Sequence, residues 1–253
     1  MPRKKTIGSS LPSEPPKAPL WRISGKVLAQ LCLDKFCPRC FWLRQHLAKQ
    51  KIPPPWQTFP GIFNSLDSYS KKLVHGYFDT EQAPPPWLTP LGQIIGYLPT
   101  PTASTFFWDD PVSGIRLTGA PDAVFQLCDG TLMIADYKTA RLTKGQDELS
   151  GLYFGQLNAY RRIAEALGWP QVSRLSLIYT EPKSEEKAYG PSFHETEGFR
   201  LHFRAKFKEV EIQPTLTETL LIKASRLLEG AIPKPDSMCP DCRGLKALKG
   251  LLE

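Results

Sequence analysis

Residues 119–139 read GAPDAVFQLCDGTLMIADYKT, and two short apolar runs lie on either side of the central Asp-Gly pair. Apolar runs separated by a turn of this kind predict a β-hairpin. Because successive side chains of a strand point to opposite faces, Asp136 and Lys138 share one face at the end of the second run. The stretch therefore predicts a central strand that ends in an acid and a lysine on the same face.

The position of Asp122 relative to Asp136 depends on the length of the turn. A two-residue Asp-Gly loop would set Asp122 opposite Tyr137 and away from Asp136. A three-residue loop over residues 128–130, with Gly130 in the left-handed conformation of a G1 bulge, would set the two acids directly opposite each other. The longer loop therefore pairs the two acids on the face that carries the lysine.

Two facing acids predict a metal site at this end of the hairpin. Carboxylates in a cross-strand pair repel each other unless a cation lies between them. Hard oxygen ligands such as those of Asp122 and Asp136 suit Mg²⁺ or Mn²⁺. Lys138, beside such an ion, would neutralise charge that develops on a phosphate or would position the attacking water.

A helical pattern follows the hairpin and runs from Leu152 to Leu167. Gln156 and Tyr160 lie one turn apart on one face of this helix. Arg161 and Arg162 follow directly and are candidate contacts for phosphate groups. The alternative for both arginines is a solvated helix surface.

Together these residues resemble a known family. The order of Pro121-Asp122, Asp136-Tyr137-Lys138 and the helical Gln-x-x-x-Tyr element resembles the PD-(D/E)XK nuclease superfamily, and the last element resembles its RecB-like branch, which includes the CRISPR-associated exonucleases. The resemblance implies an α/β, restriction-endonuclease-like fold, in which a mixed sheet is flanked by helices. It also implies a metal-dependent deoxyribonuclease that hydrolyses phosphodiester bonds in single strands or at DNA ends.

The same resemblance implies a role for each matching residue. Asp122 and Asp136 would hold Mg²⁺ or Mn²⁺, with the Tyr137 carbonyl as a further ligand. Lys138 would orient or activate water for in-line attack on the phosphodiester. The helical glutamine would brace the site, and the tyrosine one turn later would contact the DNA strand or stack on it.

A further metal ligand is predicted on an earlier helix, from Leu66 to about Phe78, which Ser65 would cap. In related nucleases a histidine on this helix often binds the metal, and His75 is the candidate here. A solvated histidine is the alternative, since His75 falls on the polar side of the helix. The apolar face that should meet the core comprises Leu66, Tyr69, Leu73, Val74 and Tyr77.

Four cysteines form two Cys-Pro-x-Cys units near opposite ends of the chain, at Cys37 and Cys40 and at Cys239 and Cys242. This pattern is typical of a tetrathiolate site for Zn²⁺ or an iron–sulfur cluster. Without a secretory signal, disulfide bonds are not expected. The remaining two cysteines, Cys32 and Cys128, are expected to be small buried residues.

The family resemblance bears on the choice of metal. CRISPR-associated exonucleases and AddB-like nucleases carry a [4Fe–4S] cluster, with one cysteine before the core and three after it. The Cys37-Pro38-Arg39 triplet resembles the start of that pattern, so a [4Fe–4S] cluster is expected here. The present chain has two cysteines before the core and two after it, which leaves Zn²⁺ as the alternative.

Composition sets the remaining expectations. The 253 residues are 41% hydrophobic and 23% charged, as in an ordinary globular domain. The net charge of +7 favours a polyanionic partner, which the resemblance implies is DNA. No apolar run is long enough to span a bilayer and no signal core is visible, so a cytoplasmic protein without a membrane partner is predicted.

The chain is expected to comprise a disordered basic and Pro-rich tail, residues 1–20, and a single nuclease domain, residues 21–253, whose ends the cysteine-bound metal joins. Two alternatives to an enzyme remain. One is a non-catalytic nucleic-acid-binding module, which would have no need of the complete set of Asp122, Asp136 and Lys138. The other is a zinc-stapled scaffold within a larger DNA-processing complex.

Overall fold

The structure, a computed structural model, describes residues 19–53, 62–142, 149–185 and 190–252. Most of the predicted tail, residues 1–18, lies outside the described residues. Among the helices that the structure describes, none is both long enough and apolar enough to cross a membrane.

The described strands and α-helices are numbered in the order in which they occur along the chain. The strands are β1 (Trp21–Ser24), β2 (Ile94–Leu98), β3 (Phe107–Asp109), β4 (Ile115–Thr118), β5 (Ala123–Leu127), β6 (Leu132–Lys138), β7 (Val172–Pro182), β8 (His194–Glu195), β9 (Gly198–Phe199) and β10 (Phe203–Val210). The helices are α1 (Gly25–Leu28), α2 (Pro38–Lys49), α3 (Ile62–Glu81), α4 (Ser150–Ala166), α5 (Leu216–Glu229) and α6 (Pro240–Leu252).

The strands form one large sheet and two small ones. The large sheet has the order β10-β7-β6-β5-β2, in which β6 and β7 are parallel and the other neighbours are antiparallel. A second sheet has the order β1-β4-β3, and β8 pairs with β9. Since helices pack on both faces of the large sheet, the predicted mixed α/β architecture is confirmed.

The turn between β5 and β6 has the longer of the two predicted forms. Ala123 lies opposite Ala135, and the Leu127 N–H donates to the Thr131 carbonyl at 2.9 Å, which encloses a three-residue loop. Gly130 has φ +82°, the left-handed conformation that a bulged turn requires. Continued by one residue, this register sets the two predicted acids opposite each other.

Strand β6 is buried on both faces, which explains its continuous apolar sequence. Ile134 belongs to the core on the side of α4 and α5. Met133 belongs to a second core, on the side of α3. The polar residues at the end of β6 therefore follow a strand segment that is packed against the core on both faces of the sheet.

The predicted buried face of α3 is wrong in part. Val74 is completely buried as predicted, and Phe78 packs beside it, but Tyr69 and Leu73 are 61% and 50% exposed. Two apolar stripes lie side by side on this helix, and its sequence does not determine which one meets the sheet. The stripe of Val74 and Phe78 contacts the sheet, which turns the other toward solvent.

Candidate active site and cysteine centre

Asp122 and Asp136 lie at the same edge of the large sheet, each held by a different part of the chain. The Tyr137 N–H donates to Asp122 Oδ2 at 3.0 Å, and the Lys71 ammonium lies 2.7 Å from Asp122 Oδ1. Asp136 is 3% exposed and accepts a hydrogen bond at Oδ1 from the Gln156 amide at 3.0 Å. The structure thus brings together the two predicted acids.

The electrostatics of the pair match the expected repulsion between facing acids. Burial, followed by the negative charge of Asp136, raises the pKa of Asp122 above its ordinary value, although Lys71 and the Tyr137 N–H act in the opposite direction. A divalent cation between the carboxylates would relieve this repulsion. Oxygen donors of this type fit Mg²⁺ or Mn²⁺.

Tyr137 and Lys138 complete this edge of the sheet. Because the N–H and C=O of a strand residue point toward the same neighbouring strand, the Tyr137 carbonyl also faces the side of Asp122. Lys138 forms an ion pair with Asp136, and its ammonium lies 4.2 Å from the centre of the Tyr153 ring on α4. Its head is therefore held beside the acids rather than in open solvent.

Gln156 links Asp136 to Tyr160. Its amide nitrogen is 3.0 Å from both Asp136 Oδ1 and the Tyr160 hydroxyl. The side-chain oxygen of Gln156 is buried and has no hydrogen-bond partner among the described residues. The two hydrogen bonds donated by Nε2 thus orient the Gln156 amide.

The prediction that Tyr160 contacts the DNA strand or stacks on it does not fit its buried position in the structure. Tyr160 is 5% exposed, and its ring packs edge-on against Phe106 at a centroid distance of 6.2 Å. A Cβ on Gly119 would lie 2.8 Å from the Tyr160 ring, so this glycine makes room for it. Tyr160 therefore packs against the segment that precedes Asp122. Burial raises the pKa of the Tyr160 hydroxyl.

The two predicted phosphate contacts on α4 are engaged within the protein. Arg161 forms an ion pair with Glu165. Arg162 forms an ion pair with Glu218 of α5, and its guanidinium lies 3.7 Å from the centre of the Trp108 ring. These contacts favour a structural role, since a phosphate contact would have to replace them.

His75 does not join the two acids. Its ring stacks on Tyr97 of β2 at a centroid distance of 4.3 Å, and burial lowers its pKa. Within the ranges that the structure describes, the cysteines form the one group of three or more side chains placed to share a metal ion. The residue of α3 that reaches Asp122 is Lys71, one turn before His75.

Sequence reasoning missed Lys71 and a second charged residue, Glu181. Glu181 is 1% exposed and accepts from the Leu142 N–H and Arg204, and its carboxylate lies 3.0 Å from Lys206. Burial raises its pKa, but these donors outweigh burial and hold the pKa at about 2. The charged sequence that starts at this residue predicts a loop, so no local signal indicated a buried acid.

The four cysteines of the two Cys-Pro-x-Cys units converge as predicted. The Sγ atoms of Cys37 and Cys242 are 3.6 Å apart, as are those of Cys40 and Cys239, and all four atoms lie within 4.8 Å of one another. All four thiols are free of disulfide bonds. The group forms a possible metal site that joins the start of α2 to the start of α6.

The thiols differ in their surroundings. Burial raises the pKa of Cys37 and, more strongly, that of Cys40. Burial also acts on Cys239, but hydrogen bonds from backbone groups near the start of α6 and from neighbouring thiols outweigh it, and its pKa is lowered. The two other cysteines differ from expectation, since Cys32 is half-buried and Cys128 is exposed.

Further contacts hold α2 to the C-terminal segment around the cysteines. Arg44 forms a 2.6 Å ion pair with Asp241, and Arg39 donates to the Pro233 carbonyl at 2.8 Å. Trp42 donates to the Gly230 carbonyl at 3.1 Å. Side-chain contacts, in addition to the thiols, therefore hold α2 against the C-terminal segment.

A family model described as the PD-(D/E)XK nuclease superfamily matches residues 42–244, which include both acids, Lys138 and Gln156. The chain belongs to this superfamily. The matched range contains the edge of the sheet at which the two acids face each other beside Lys138.

Among solved structures, this PD-(D/E)XK protein is similar to the one described as "Crystal structure of SSO0001", with 15% identity and a TM-score of 0.44 over 92% of this chain and 89% of that chain. The comparison with curated proteins finds no match.

Proposed function

We propose that this protein is a metal-dependent deoxyribonuclease of the RecB-like, CRISPR-associated exonuclease type, acting on single strands or DNA ends. The observation that carries the proposal is the pairing of Asp122 and Asp136 across the hairpin, with Lys138 beside them. A non-catalytic binding module would have no use for two partly desolvated acids that repel each other. The Gln156 link to Asp136 supports the RecB-like assignment.

The chemistry follows from the positions of these side chains. Asp122, Asp136 and the Tyr137 carbonyl would hold Mg²⁺ or Mn²⁺, which supplies Lewis acidity at the scissile phosphate. Lys138 is close enough to Asp136 to orient water for in-line attack and to balance charge on the phosphate oxygens. Gln156 keeps the Asp136 carboxylate in one orientation during these steps.

The cysteine centre is proposed to hold one Zn²⁺. Tetrahedral Zn–S bonds of about 2.3 Å place sulfur atoms about 3.8 Å apart. Three of the separations, at 3.6, 3.6 and 3.7 Å, fit this geometry, and all four sulfur atoms lie within 4.8 Å of one another. A cubane cluster would interpose irons and sulfides between the thiolates and hold them farther apart. The spacing thus favours the zinc alternative over the [4Fe–4S] cluster that the resemblance implies.

The test is cleavage of end-labelled single-stranded and duplex DNA with Mn²⁺, with Mg²⁺ and with EDTA. Wild type should cleave with either metal and not with EDTA. Asp136→Asn keeps the size and a hydrogen-bond acceptor for Gln156, but should lower the rate at least about 100-fold. Asp34→Asn, at an exposed turn, is the matched control and should cleave like wild type.

Two outcomes would contradict the proposal. DNA binding without cleavage under every metal condition would favour the non-catalytic binding module. Cleavage by Asp136→Asn at the wild-type rate would remove this edge of the sheet as the active site.

A further inference from the structure

Lys71 is a cation that contacts Asp122. It comes from α3, which packs on the face of the large sheet opposite to α4. Its ammonium lies 2.7 Å from Asp122 Oδ1, and the two side chains are 28% and 16% exposed. Val74 and Phe78, on the following turns of α3, are buried against the sheet. The backbone of Lys71 is therefore held in place by this packing, and its side chain extends from there to the acid.

The oxygen that Lys71 contacts is the one that a metal ion would need. Asp122 Oδ2 accepts the Tyr137 N–H at 3.0 Å, so Oδ1 is the oxygen left for a cation. An ammonium at hydrogen-bond distance and a divalent ion at bonding distance from the same oxygen would repel each other strongly. The two cations therefore compete for Asp122.

We propose that Lys71 is an exchangeable counter-cation of Asp122: a divalent metal displaces it, and its ammonium then binds a phosphate of the DNA strand. The inference rests on the proposed nuclease function and adds a residue to it. DNA replaces the anion that Lys71 loses, so metal and DNA each make binding of the other more favourable. Since such coupling is reciprocal, it is measurable from the metal side alone.

The primary measurement is Mn²⁺ binding, followed by the electron paramagnetic resonance signal of free Mn²⁺. Lys71→Met removes the competing charge and should tighten Mn²⁺ binding about fivefold in the absence of DNA. Lys72→Met removes the same charge from the adjacent, exposed position and is the matched control. It should bind Mn²⁺ like wild type.

The second arm adds a single-stranded phosphorothioate oligonucleotide, in a Lys138→Ala background so that the strand stays intact. With Lys71 present, the oligonucleotide should tighten Mn²⁺ binding about fivefold or more. With Lys71→Met, the oligonucleotide should leave Mn²⁺ affinity nearly unchanged. Lys71→Gln, which is polar and uncharged, should repeat both results, and circular dichroism checks that each variant is folded.

The outcomes separate the inference from the proposed function. Equal or weaker Mn²⁺ binding by folded Lys71→Met and Lys71→Gln, with undiminished coupling to DNA, would overturn the inference and leave the nuclease assignment standing. No Mn²⁺ binding by wild type or any variant, with or without DNA, would overturn both.

Discussion

At the scale of single residues, Glu181 anchors the chain that leaves the candidate active site. One of its oxygens accepts the Leu142 N–H, four residues after the catalytic candidate Lys138. Arg204 and Lys206 of β10 neutralise its charge. A carboxylate that is 1% exposed is stable only with such partners, because burial of an unpaired charge is costly.

Glu181→Gln should therefore destabilise the protein in a pH-dependent way. The folded-state pKa of about 2 lies below the unfolded value of about 4.3. A depressed carboxylate pKa stabilises the fold above the unfolded pKa, and this contribution is lost as the pH falls through the folded pKa. At pH 7 the variant should lose about 2 kcal/mol, or about 4–8 °C in Tm.

Calorimetry between pH 7 and pH 2.5 measures this difference in Tm. The difference between wild type and variant should be full at pH 7 and should narrow below about pH 4. Glu185→Gln is the matched control, because Glu185 also contacts Arg204 at 2.9 Å but is exposed. A difference in Tm that is independent of pH would show that the charge of Glu181 is not what stabilises the fold.

At the scale of elements, the turn of the β5–β6 hairpin sets the position of Asp122. Gly130 has φ +82° and open space around it, so a new side chain there would meet backbone strain rather than a steric clash. Gly130→Val should cost about 1–2 kcal/mol. Relief of that strain would alter the three-residue turn and shift Asp122 away from Asp136, which should lower cleavage at least about tenfold.

Gly168, just after α4, provides the control for the turn variant. Its φ is +71°, and it too has open space around it. Gly168→Val should therefore cost similar stability, measured by urea unfolding, while it leaves the hairpin intact. Equal losses of cleavage in both variants, at matched stability, would show that the turn does not position Asp122.

The same elements show what the sequence could predict. The hairpin and α4 are local: apolar runs and an Asp-Gly turn predict the hairpin with two possible registers, of which the structure has the one that sets Asp122 opposite Asp136. The contacts of Lys71 and Glu181 are long-range, with partners 51 and 23 or more residues away in the sequence. Strand periodicity and helix propensity carry no information about such partners, so these two residues were missed.

Orientation was the second source of error. The sequence places Tyr160 one turn from Gln156, and the structure confirms that spacing through a 3.0 Å hydrogen bond. Whether the ring points to DNA or into the core depends on Gly119 and Phe106, which lie on other elements. The orientation of His75 was likewise not predictable. Lys71 and His75 are one helical turn apart on the same side of α3, and the sequence does not show which of the two side chains contacts Asp122.

At the scale of the whole molecule, the cysteine centre joins segments about 200 residues apart in sequence. Cys37 and Cys40 lie at the start of α2, and Cys239 and Cys242 at the start of α6. Cysteine thiols must lose their protons to bind a metal as thiolates, and the four ligands come together only in the folded chain, so metal affinity is coupled to the folding of both ends. The contacts described for Asp122 and Asp136 come from Lys71, Tyr137, Lys138 and Gln156 rather than from the cysteines, so we expect the centre to stabilise the framework rather than to take part in hydrolysis.

Cys239→Ala should thus release both ends of the domain together. Loss of a structural metal should cost about 4 kcal/mol or more, equivalent to about 8–16 °C in Tm. The Arg44–Asp241 ion pair is partly exposed and too weak to replace the metal. Metal analysis should give one zinc per wild-type chain and none in the variant, and limited proteolysis should cut the variant at both ends.

Cys128→Ala, at an exposed cysteine outside the group, is the control and should keep its zinc. Normal Tm and metal content in Cys239→Ala would exclude a shared centre, whereas brown protein with iron and sulfide in wild type would keep the centre and replace zinc by a cluster.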